Sequence, residues 1–295
     1  MSILRKRDKT LILGSLTLDV ILRVKKLPQR MQDMNVDSQT YACGGCAYNV
    51  YQAMKYCNSD AVMAAVVGTG IYGDEIKRQL KQDRTMMLFA GDEANGCCYC
   101  LVEEDGERTF LSLHGAEYLY PLKELQMMDL SSFRYVYVCG IDLEEKKNEA
   151  VLDLIDQYPD MKLFFAPGPR LLQLDRKLWK KMMSRHPVLH LNEKEAKAVT
   201  AASDVKAALQ ELYRQSQALV IVTMGAEGCM AYDGSCFVCE RAVPCDIIDT
   251  IGAGDAHAGA CLHALEQGMD LKQMLQQAAG IASRALHMHG SLKAK

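Results

Sequence analysis

Short runs of apolar residues recur along the chain, and most of them end at a glycine or a polar residue. The clearest runs cover residues 10–14, 61–67, 135–139, 162–166, 188–191 and 218–222. An unbroken apolar run of this kind is typical of a strand that is buried on both faces of a parallel sheet. Apolar residues at helical spacing follow several of these runs, and residues 271–288 are predicted to form the last helix. This alternation predicts an α/β protein with a mostly parallel central sheet and helices on both of its faces.

Two looser segments, residues 20–42 and residues 96–113, alternate between polar and apolar positions instead. The second of them carries Glu104-Asp105-Gly106-Glu107 between two strand-like runs, which predicts a hairpin. We expect the two segments to form a small β lid beside the main sheet. Because the sequence contains no linker, repeat or low-complexity segment, residues 1–295 are predicted to form a single domain.

Composition and charge restrict the classes of partner. The formal net charge of −3 gives no general electrostatic reason to bind nucleic acid or an anionic membrane. The apolar runs are far shorter than the ~20 residues that span a bilayer, and the basic N-terminus leads into no signal-peptide core. We therefore expect a cytoplasmic protein without a nucleic-acid or membrane partner.

The sequence contains twelve cysteines, including the Cys-x-x-Cys pairs Cys43 with Cys46 and Cys236 with Cys239. Such pairs raise the alternatives of zinc binding and redox chemistry. The two pairs lie far apart in the chain, without the compact spacing of a zinc ribbon. Most other cysteines fall in apolar runs, where a free thiol behaves as a small hydrophobic side chain. The pattern favours buried thiols over a structural metal.

The most informative stretch is Asp249-Thr250-Ile251-Gly252-Ala253-Gly254-Asp255. Residues 243–248 are predicted to form a strand before it, and small and apolar residues from Ala253 onward recur at helical spacing. A strand that passes through a glycine turn into a helix leaves the first N–H groups of the helix without partners, where the helix dipole also favours negative charge. Since Gly252 and Gly254 lack a Cβ, an anion can approach this backbone closely.

Asp255 has two interpretations at this position. It is either a helix-start charge that contributes ~0.5–1 kcal/mol through the dipole, or a general base beside an anion site. A base placed there would take a proton from a hydroxyl group that attacks a phosphate. The local sequence alone leaves both interpretations open.

A second group of candidate residues follows the first apolar run. Asp19 is expected close to the carboxyl edge of the sheet, where open α/β sheets bind ligands. Gly44 and Gly45 then precede a predicted helix that carries Asn49, whose amide can both donate and accept hydrogen bonds to a polyol. A surface ion pair for Asp19 and a solvated helix position for Asn49 are the local alternatives.

Two further groups follow later apolar runs. Asn192 and Glu195 have the spacing of a capping box, which is their local alternative. The glycine-containing turn of residues 223–228 follows the next run and is predicted to reach the same sheet edge. Any one of these groups could lie at this edge by accident, but it is much less expected that all four do so.

With these motifs the sequence resembles the ribokinase-like carbohydrate kinases, the PfkB family, over essentially its whole length. The strongest match is the stretch from Asp249 to Asp255. Supporting matches are Gly44-Gly45-x-x-x-Asn49, Asn192-x-x-Glu195 and Thr223-x-Gly225-x-x-Gly228. The resemblance implies a three-layer α/β/α sandwich with a mostly parallel sheet and a small β lid.

The resemblance also implies roles for these residues. Asp255 would be the base, and the N–H groups of Gly252, Ala253 and Gly254 would hold the γ-phosphate of ATP. Substrate hydroxyl groups would contact Asp19, Gly44, Gly45 and Asn49. Glu195, acting with Asn192, would organise Mg²⁺ and phosphate through water. The nucleotide site would comprise Asn192, Thr223, Gly225 and Gly228.

Four positions depart from the family pattern. Cys46 stands where ribokinases often carry Lys, so a preference for ribose does not carry over, and His257 occupies a position that is usually aromatic. The family often has Asn near Ala279, close to the adenine, and Asp at the position of Ala166. We therefore expect an ATP- and Mg²⁺-dependent kinase of a small sugar hydroxyl. A nucleoside kinase is the first alternative, because Cys46 and Tyr48 form a less polar wall than Lys would.

A catalytically silent regulator that binds sugar or nucleotide is the second alternative, and the intact Asp255 argues against it. The resemblance leaves a requirement for a monovalent cation open. The exposed edges of the predicted lid are expected to pair two subunits into a homodimer.

Overall fold

A large twisted sheet forms the centre of the molecule, and a smaller sheet lies beside it. The computed structural model describes residues 9–81, 85–288 and 292. Within these residues the strands are β1 (Lys9–Leu13), β2 (Thr17–Arg23), β3 (Ser38–Gly44), β4 (Ala61–Thr69), β5 (Met86–Ala94), β6 (Cys97–Val102), β7 (Arg108–Leu113), β8 (Phe133–Cys139), β9 (Lys162–Ala166), β10 (Val188–Asn192), β11 (Val220–Thr223), β12 (Cys229–Tyr232) and β13 (Phe237–Glu240).

The large sheet has nine strands in the order β13-β12-β11-β10-β9-β8-β1-β4-β5. Every pair from β11 to β5 is parallel, whereas β12 and β13 are antiparallel additions at one edge. Because its strands run parallel, their carboxyl ends share one edge of the sheet. Asn192 and Thr223, for example, are register partners at the ends of β10 and β11.

Helices cover both faces of this sheet. They are α1 (Cys46–Tyr56), α2 (Gly70–Gln79), α3 (Leu122–Gln126), α4 (Val151–Asp156), α5 (Arg176–Met183), α6 (Glu193–Thr200), α7 (Val205–Ser216), α8 (Ala253–Glu266) and α9 (Leu271–Leu286). Residues of α1, α2, α8 and α9 form one hydrophobic core with Ile12, whereas residues of α3 to α7 form the other with Leu11 and Leu13. Successive side chains of β1 therefore enter opposite cores. The predicted three-layer α/β/α architecture is confirmed.

The second sheet has four strands in the order β3-β2-β6-β7. The hairpin predicted in residues 96–113 is confirmed, since β6 pairs antiparallel with β7. The sheet begins at Thr17, earlier than the alternating pattern indicated, so that Asp19 lies within β2. None of the described helices has both the length and the apolar character needed to cross a bilayer.

The strand predicted at residues 243–248 is wrong. This segment is a loop whose side chains are largely in solvent, with Ile247 67% exposed. Pro244 has no N–H to donate to a ladder, and the chain is instead held where the N–H groups of Ile248 and Asp249 donate to the carbonyl oxygen of Leu286, at 2.8 and 3.1 Å. The glycine turn is therefore reached from a loop that crosses the end of α9.

The sequence pattern also failed to identify β5 and the hairpin of β12 and β13. β5 is an edge strand with half-exposed side chains and the polar residues Asp92 and Glu93, so it lacks an apolar run. β12 and β13 have only four residues each, too few for a clear period.

Candidate active site

Three cavities meet at the beginning of α8. The large cavity, about 620 Å³, is bounded by Asp19, Asn49 and the second sheet. The central cavity, about 130 Å³, lies at Asn192 and Glu195. The outer cavity, about 280 Å³, lies between residues 223–228 and α9. Asp255 lines the large and central cavities, and Gly254 lines the central and outer cavities.

The turn into α8 exposes backbone donors to these cavities. Gly252 precedes the helix with φ of 70°, a left-handed conformation that favours glycine. The first strong backbone bond of the helix runs from the N–H of Ala256 to the oxygen of Gly252, at 2.7 Å. Among the described residues, the N–H groups of Gly254 and Asp255 have no backbone acceptor. Together with the helix dipole, these N–H groups form a site that favours an anion.

Asp255 is held by a long-range hydrogen bond from α1. Asn49 Nδ2 donates to Asp255 Oδ2 at 2.9 Å, and the Asn49 side chain lies close beside Gly252. Burial raises the pKa of Asp255 to about 6, and the hydrogen bonds from Asn49 and the Cys46 thiol act in the opposite direction. The carboxylate is therefore oriented and is ionised at neutral pH, as a general base requires.

Asp19 enters the large cavity from β2. Thr17 Oγ1 donates to Asp19 Oδ1 at 3.2 Å. Burial raises the pKa of Asp19 to about 6, with further contributions from the nearby carboxylates of Asp249 and Asp255. Gly44 does not line this cavity; it makes room for Asp19, because an added Cβ would lie 2.1 Å from the Asp19 Oδ2 atom.

Gly45 lines the same cavity and begins α1. Its φ of 98° lets the chain turn from β3 into the helix, and the N–H of Asn49 donates to its carbonyl oxygen at 2.9 Å. The structure thus brings Asp19, Gly45, Asn49 and Asp255 to one cavity, although up to 236 positions separate them in the chain.

Asn192 and Glu195 form the predicted capping box at the start of α6. The N–H of Glu195 donates to Asn192 Oδ1 at 2.9 Å, and the N–H of Asn192 donates to Glu195 Oε2 at 3.0 Å. Both residues also line the central cavity, where burial and the nearby Asp255 raise the pKa of Glu195. Because burial and Asp255 both disfavour the ionised form of Glu195, a bound cation would stabilise that form. Asn192 does not line the outer cavity.

Thr223, Gly225 and Gly228 line the outer cavity, and Thr223 also reaches the central one. Gly228 has φ of 100°, and an added Cβ would lie 2.0 Å from the oxygen of Glu240. This glycine therefore allows close approach of β13. α9 contributes Ala279 to the opposite wall, at the position that the resemblance to the family placed near the adenine, and also Ser283, which the sequence analysis did not name.

His257 lies on α8 behind the glycine turn and contacts His190 of β10. The His190 Nε2 and His257 Nδ1 atoms are 2.9 Å apart. Burial lowers the pKa of His190 to about 4 and also lowers the pKa of His257. Two neutral imidazoles can share one hydrogen bond, which accounts for a polar pair at this buried position.

The sequence analysis also missed Arg108, which extends from β7 into the large cavity and forms an ion pair with Asp249. Cys98, Cys100 and Phe110 line the same cavity from β6 and β7. The alternating pattern of the hairpin could have indicated which side chains face the cavity, because Arg108, Phe110 and Ser112 are spaced by two residues and share one face.

Comparisons with known proteins identify the family and the fold of the chain. The sequence profile described as the pfkB family of carbohydrate kinases matches residues 7–294. The uncharacterized sugar kinase YegV of Escherichia coli is 30% identical over 285 residues, which cover 95% of this chain and 89% of that protein.

Solved structures show the same fold. The ribokinase of Thermotoga maritima superposes with a TM-score of 0.81 at 17% identity, covering 96% of this chain and 94% of that one. The nucleoside kinase of Methanocaldococcus jannaschii superposes with a TM-score of 0.78 at 20% identity, covering 97% and 94%. The fold is therefore ribokinase-like. The chain belongs to the pfkB family of carbohydrate kinases and is an ATP-dependent kinase.

Proposed function

We propose that this kinase transfers the γ-phosphoryl group of ATP to a hydroxyl group of a small sugar. The observation that carries the proposal is the position of Asp255, which lies on the wall shared by the large and central cavities and accepts a hydrogen bond from Asn49. A carboxylate on a wall between two cavities can take a proton from a hydroxyl in one cavity as that hydroxyl attacks a phosphate in the other.

The large cavity supplies the acceptor site in this proposal. Asp255 accepts the proton of the reacting hydroxyl, while Asp19 and Asn49 hold the remaining hydroxyl groups. Gly45 gives the sugar access to the backbone, and Gly44 lets Asp19 reach the cavity. Orientation of the attacking group and the base is the main contribution a protein makes to phosphoryl transfer.

The glycine turn supplies the phosphate site. The N–H groups of Gly252, Ala253 and Gly254 face the charge that develops on the transferred group, and the space where a Cβ of Gly254 would lie is open. The Ala253 N–H has only a long contact with the oxygen of Thr250, at 3.5 Å. Charge stabilisation by pre-placed N–H donors of this kind is commonly one of the largest contributions to catalysis.

The nucleotide is assigned to the outer cavity, beside Thr223, Gly225 and Gly228, with Asn192 near its phosphates. Glu195 is the proposed Mg²⁺ contact through water, which suits a cation that keeps several waters and few protein carboxylates. When bound, Mg²⁺ would neutralise phosphate charge.

A nucleoside acceptor is the second candidate. Beyond its polar end, the large cavity is bounded by Cys98, Cys100, Phe110, Tyr118 and Ile141. A volume of about 620 Å³ with an apolar wall suits a flat base attached to a sugar.

The deciding experiment measures ADP release from ATP and Mg²⁺ in the presence of a panel of sugars and nucleosides. We expect release that depends on a sugar and disappears in Asp255→Asn. Release with nucleosides alone would favour the second candidate. Failure of every acceptor in a broad panel would overturn the proposal.

A further inference from the structure

The wall of the large cavity contains a group of potential metal ligands, two of which are thiols without a role in the proposed phosphoryl transfer. Cys98 and Cys100 lie on one face of β6, and Asp19 of β2 is the register partner of Cys98. One ligand atom from each of the three side chains lies within 4.8 Å of the other two. Neither Cys-x-x-Cys pair belongs to a group of three such ligands in the described part of the chain.

The spacing of the two thiols matches tetrahedral zinc. Cys98 Sγ and Cys100 Sγ are 3.8 Å apart, and two sulfur ligands at about 2.3 Å in a tetrahedral site lie about 3.8 Å from each other. The corresponding sulfur-to-oxygen spacing is about 3.6 Å, and in the structure one oxygen of the Asp19 carboxylate lies within 4.8 Å of both sulfur atoms. Ser112 Oγ donates to Cys98 Sγ at 3.8 Å and can support a bound thiolate.

A disulfide fits these two cysteines less well. Residues two apart on one strand have Cα atoms about 6.6 Å from each other, at the upper limit of the range that a disulfide spans. The sulfur atoms would also have to approach from 3.8 Å to about 2 Å. Binding of a metal leaves the strand in place.

We propose that Asp19, Cys98 and Cys100 bind Zn²⁺ and that the bound ion competes with the acceptor for the large cavity. On binding, the two thiol protons pass to the buffer and two Zn–S bonds and one Zn–O bond form, which leaves the fourth position for water. The proposed binding of Zn²⁺ does not depend on the proposed function, whereas the proposed competition between Zn²⁺ and the acceptor rests on it.

The test of binding uses Co²⁺ as a spectroscopic probe for the reduced protein. Measurements are made in a Cys236→Ser/Cys239→Ser background, because this pair is exposed and can bind metal weakly. We expect one tetrahedral Co²⁺ per chain with a thiolate charge-transfer band, and displacement of that Co²⁺ by Zn²⁺. Adding Cys98→Ser/Cys100→Ser should abolish the band, and adding Asp19→Asn should weaken Co²⁺ affinity at least about tenfold.

Retention of the band without Cys98 and Cys100 would overturn the site. Alkylation of the unaltered chain provides a measurement that needs no variant to fold. Zn²⁺ should protect Cys98, which is partly exposed, from iodoacetamide and leave Cys57, which is also partly exposed, reactive. Equal labelling of Cys98 with and without saturating Zn²⁺ would also contradict the proposal.

The test of competition uses the acceptor identified by ADP release. Zn²⁺ should raise the KM for the acceptor and leave kcat at saturating acceptor unchanged, whereas Cys98→Ser/Cys100→Ser should resist this effect. Binding of Zn²⁺ to ATP would affect the unaltered enzyme and the Cys98→Ser/Cys100→Ser variant equally. An unchanged KM at full zinc occupancy would overturn the competition, and an absent kinase activity would leave the cobalt result unaffected.

Discussion

Arg108 of β7 and Asp249, at the start of the glycine turn, form an ion pair whose side chains are only 9% and 8% exposed. Arg108 Nη1 also lies 3.3 Å from Thr250 Oγ1. The second sheet is therefore attached to the segment that leads directly to Asp255. The pair joins the wall of the large cavity to the turn that precedes α8.

Arg108→Met should lower the free energy of unfolding by about 3 kcal/mol, because Asp249 would remain as a buried charge without its main counterion. Urea denaturation measures this change. Arg78→Met is the matched control, since its pair with Glu75 lies on the surface with Arg78 71% exposed. Arg108→Met/Asp249→Asn should recover part of the loss. Equal effects of the two single Arg variants would contradict the buried pair.

Asp255→Asn should lower kcat by ~10²–10⁴-fold, because the amide cannot accept the proton. Binding of ATP, measured by calorimetry, should be retained. Asp92→Asn removes an exposed carboxylate on β5, outside the three cavities, and should leave kcat unchanged. Normal turnover in Asp255→Asn would remove this residue from the chemistry.

The kcat/KM for the acceptor of the unaltered enzyme should fall as the pH drops below about 6, because burial raises the pKa of Asp255 to about 6 in the enzyme without acceptor and the base must be ionised. The hydrogen bond from Asn49 lowers this pKa, so Asn49→Ala should move the acidic limb of the kcat/KM profile to higher pH. Rates at acceptor concentrations well below KM across this range give the comparison. A limb that stays in place or moves to lower pH would show that Asn49 does not tune the base.

Asp255 should also destabilise the fold at neutral pH. Its pKa is higher in the folded chain than the ordinary aspartate value of 3.8, so the folded state binds the proton more tightly and loses stability as the pH rises through about 6. Asp255→Asn should therefore raise the unfolding free energy by about 1–3 kcal/mol at about pH 7.5 and have little effect near about pH 4. Denaturation curves at both pH values test this. An equal rise in the unfolding free energy at both pH values would refute the electrostatic cause.

The second sheet is expected to pair two subunits. Its edge strands β3 and β7 carry Tyr41, Leu111 and Leu113, which are 48%, 58% and 58% exposed. Sedimentation at micromolar concentration should show a dimer that Leu111→Glu/Leu113→Glu weakens. Leu172→Glu, at a side chain 69% exposed outside this sheet, is the control. Observation of monomer alone would exclude this interface.

The buried parallel strands and the capping box could be predicted because their signals are local. The apolar run of β11 and the capping box of Asn192 and Glu195 each depend on a few consecutive residues. Residues 243–248 misled the same reasoning: they are mostly apolar, but Pro244 and the contact with Leu286 make them a loop.

The contacts that define the site could not be predicted in this way. The bond between Asn49 and Asp255 joins residues 206 positions apart, and the ion pair of Arg108 with Asp249 depends on how the second sheet meets α8. Which of these side chains meet is decided by the packing of the complete chain, whereas each motif shows only which residue types could contribute to a site.

The division of the cavities has an evolutionary consequence. Cys98 and Phe110, which bound the large cavity, belong to the second sheet, whereas the outer cavity is bounded by Thr223 of β11 and by Gly228 in the turn before β12. Asp255 lies on the wall between the large and central cavities, and Gly254 lies between the central and outer ones. Mutations in the hairpin can therefore change which molecule is accepted while the machinery for handling phosphate is inherited intact. One ancestral scaffold could in this way give rise to enzymes with many different preferences.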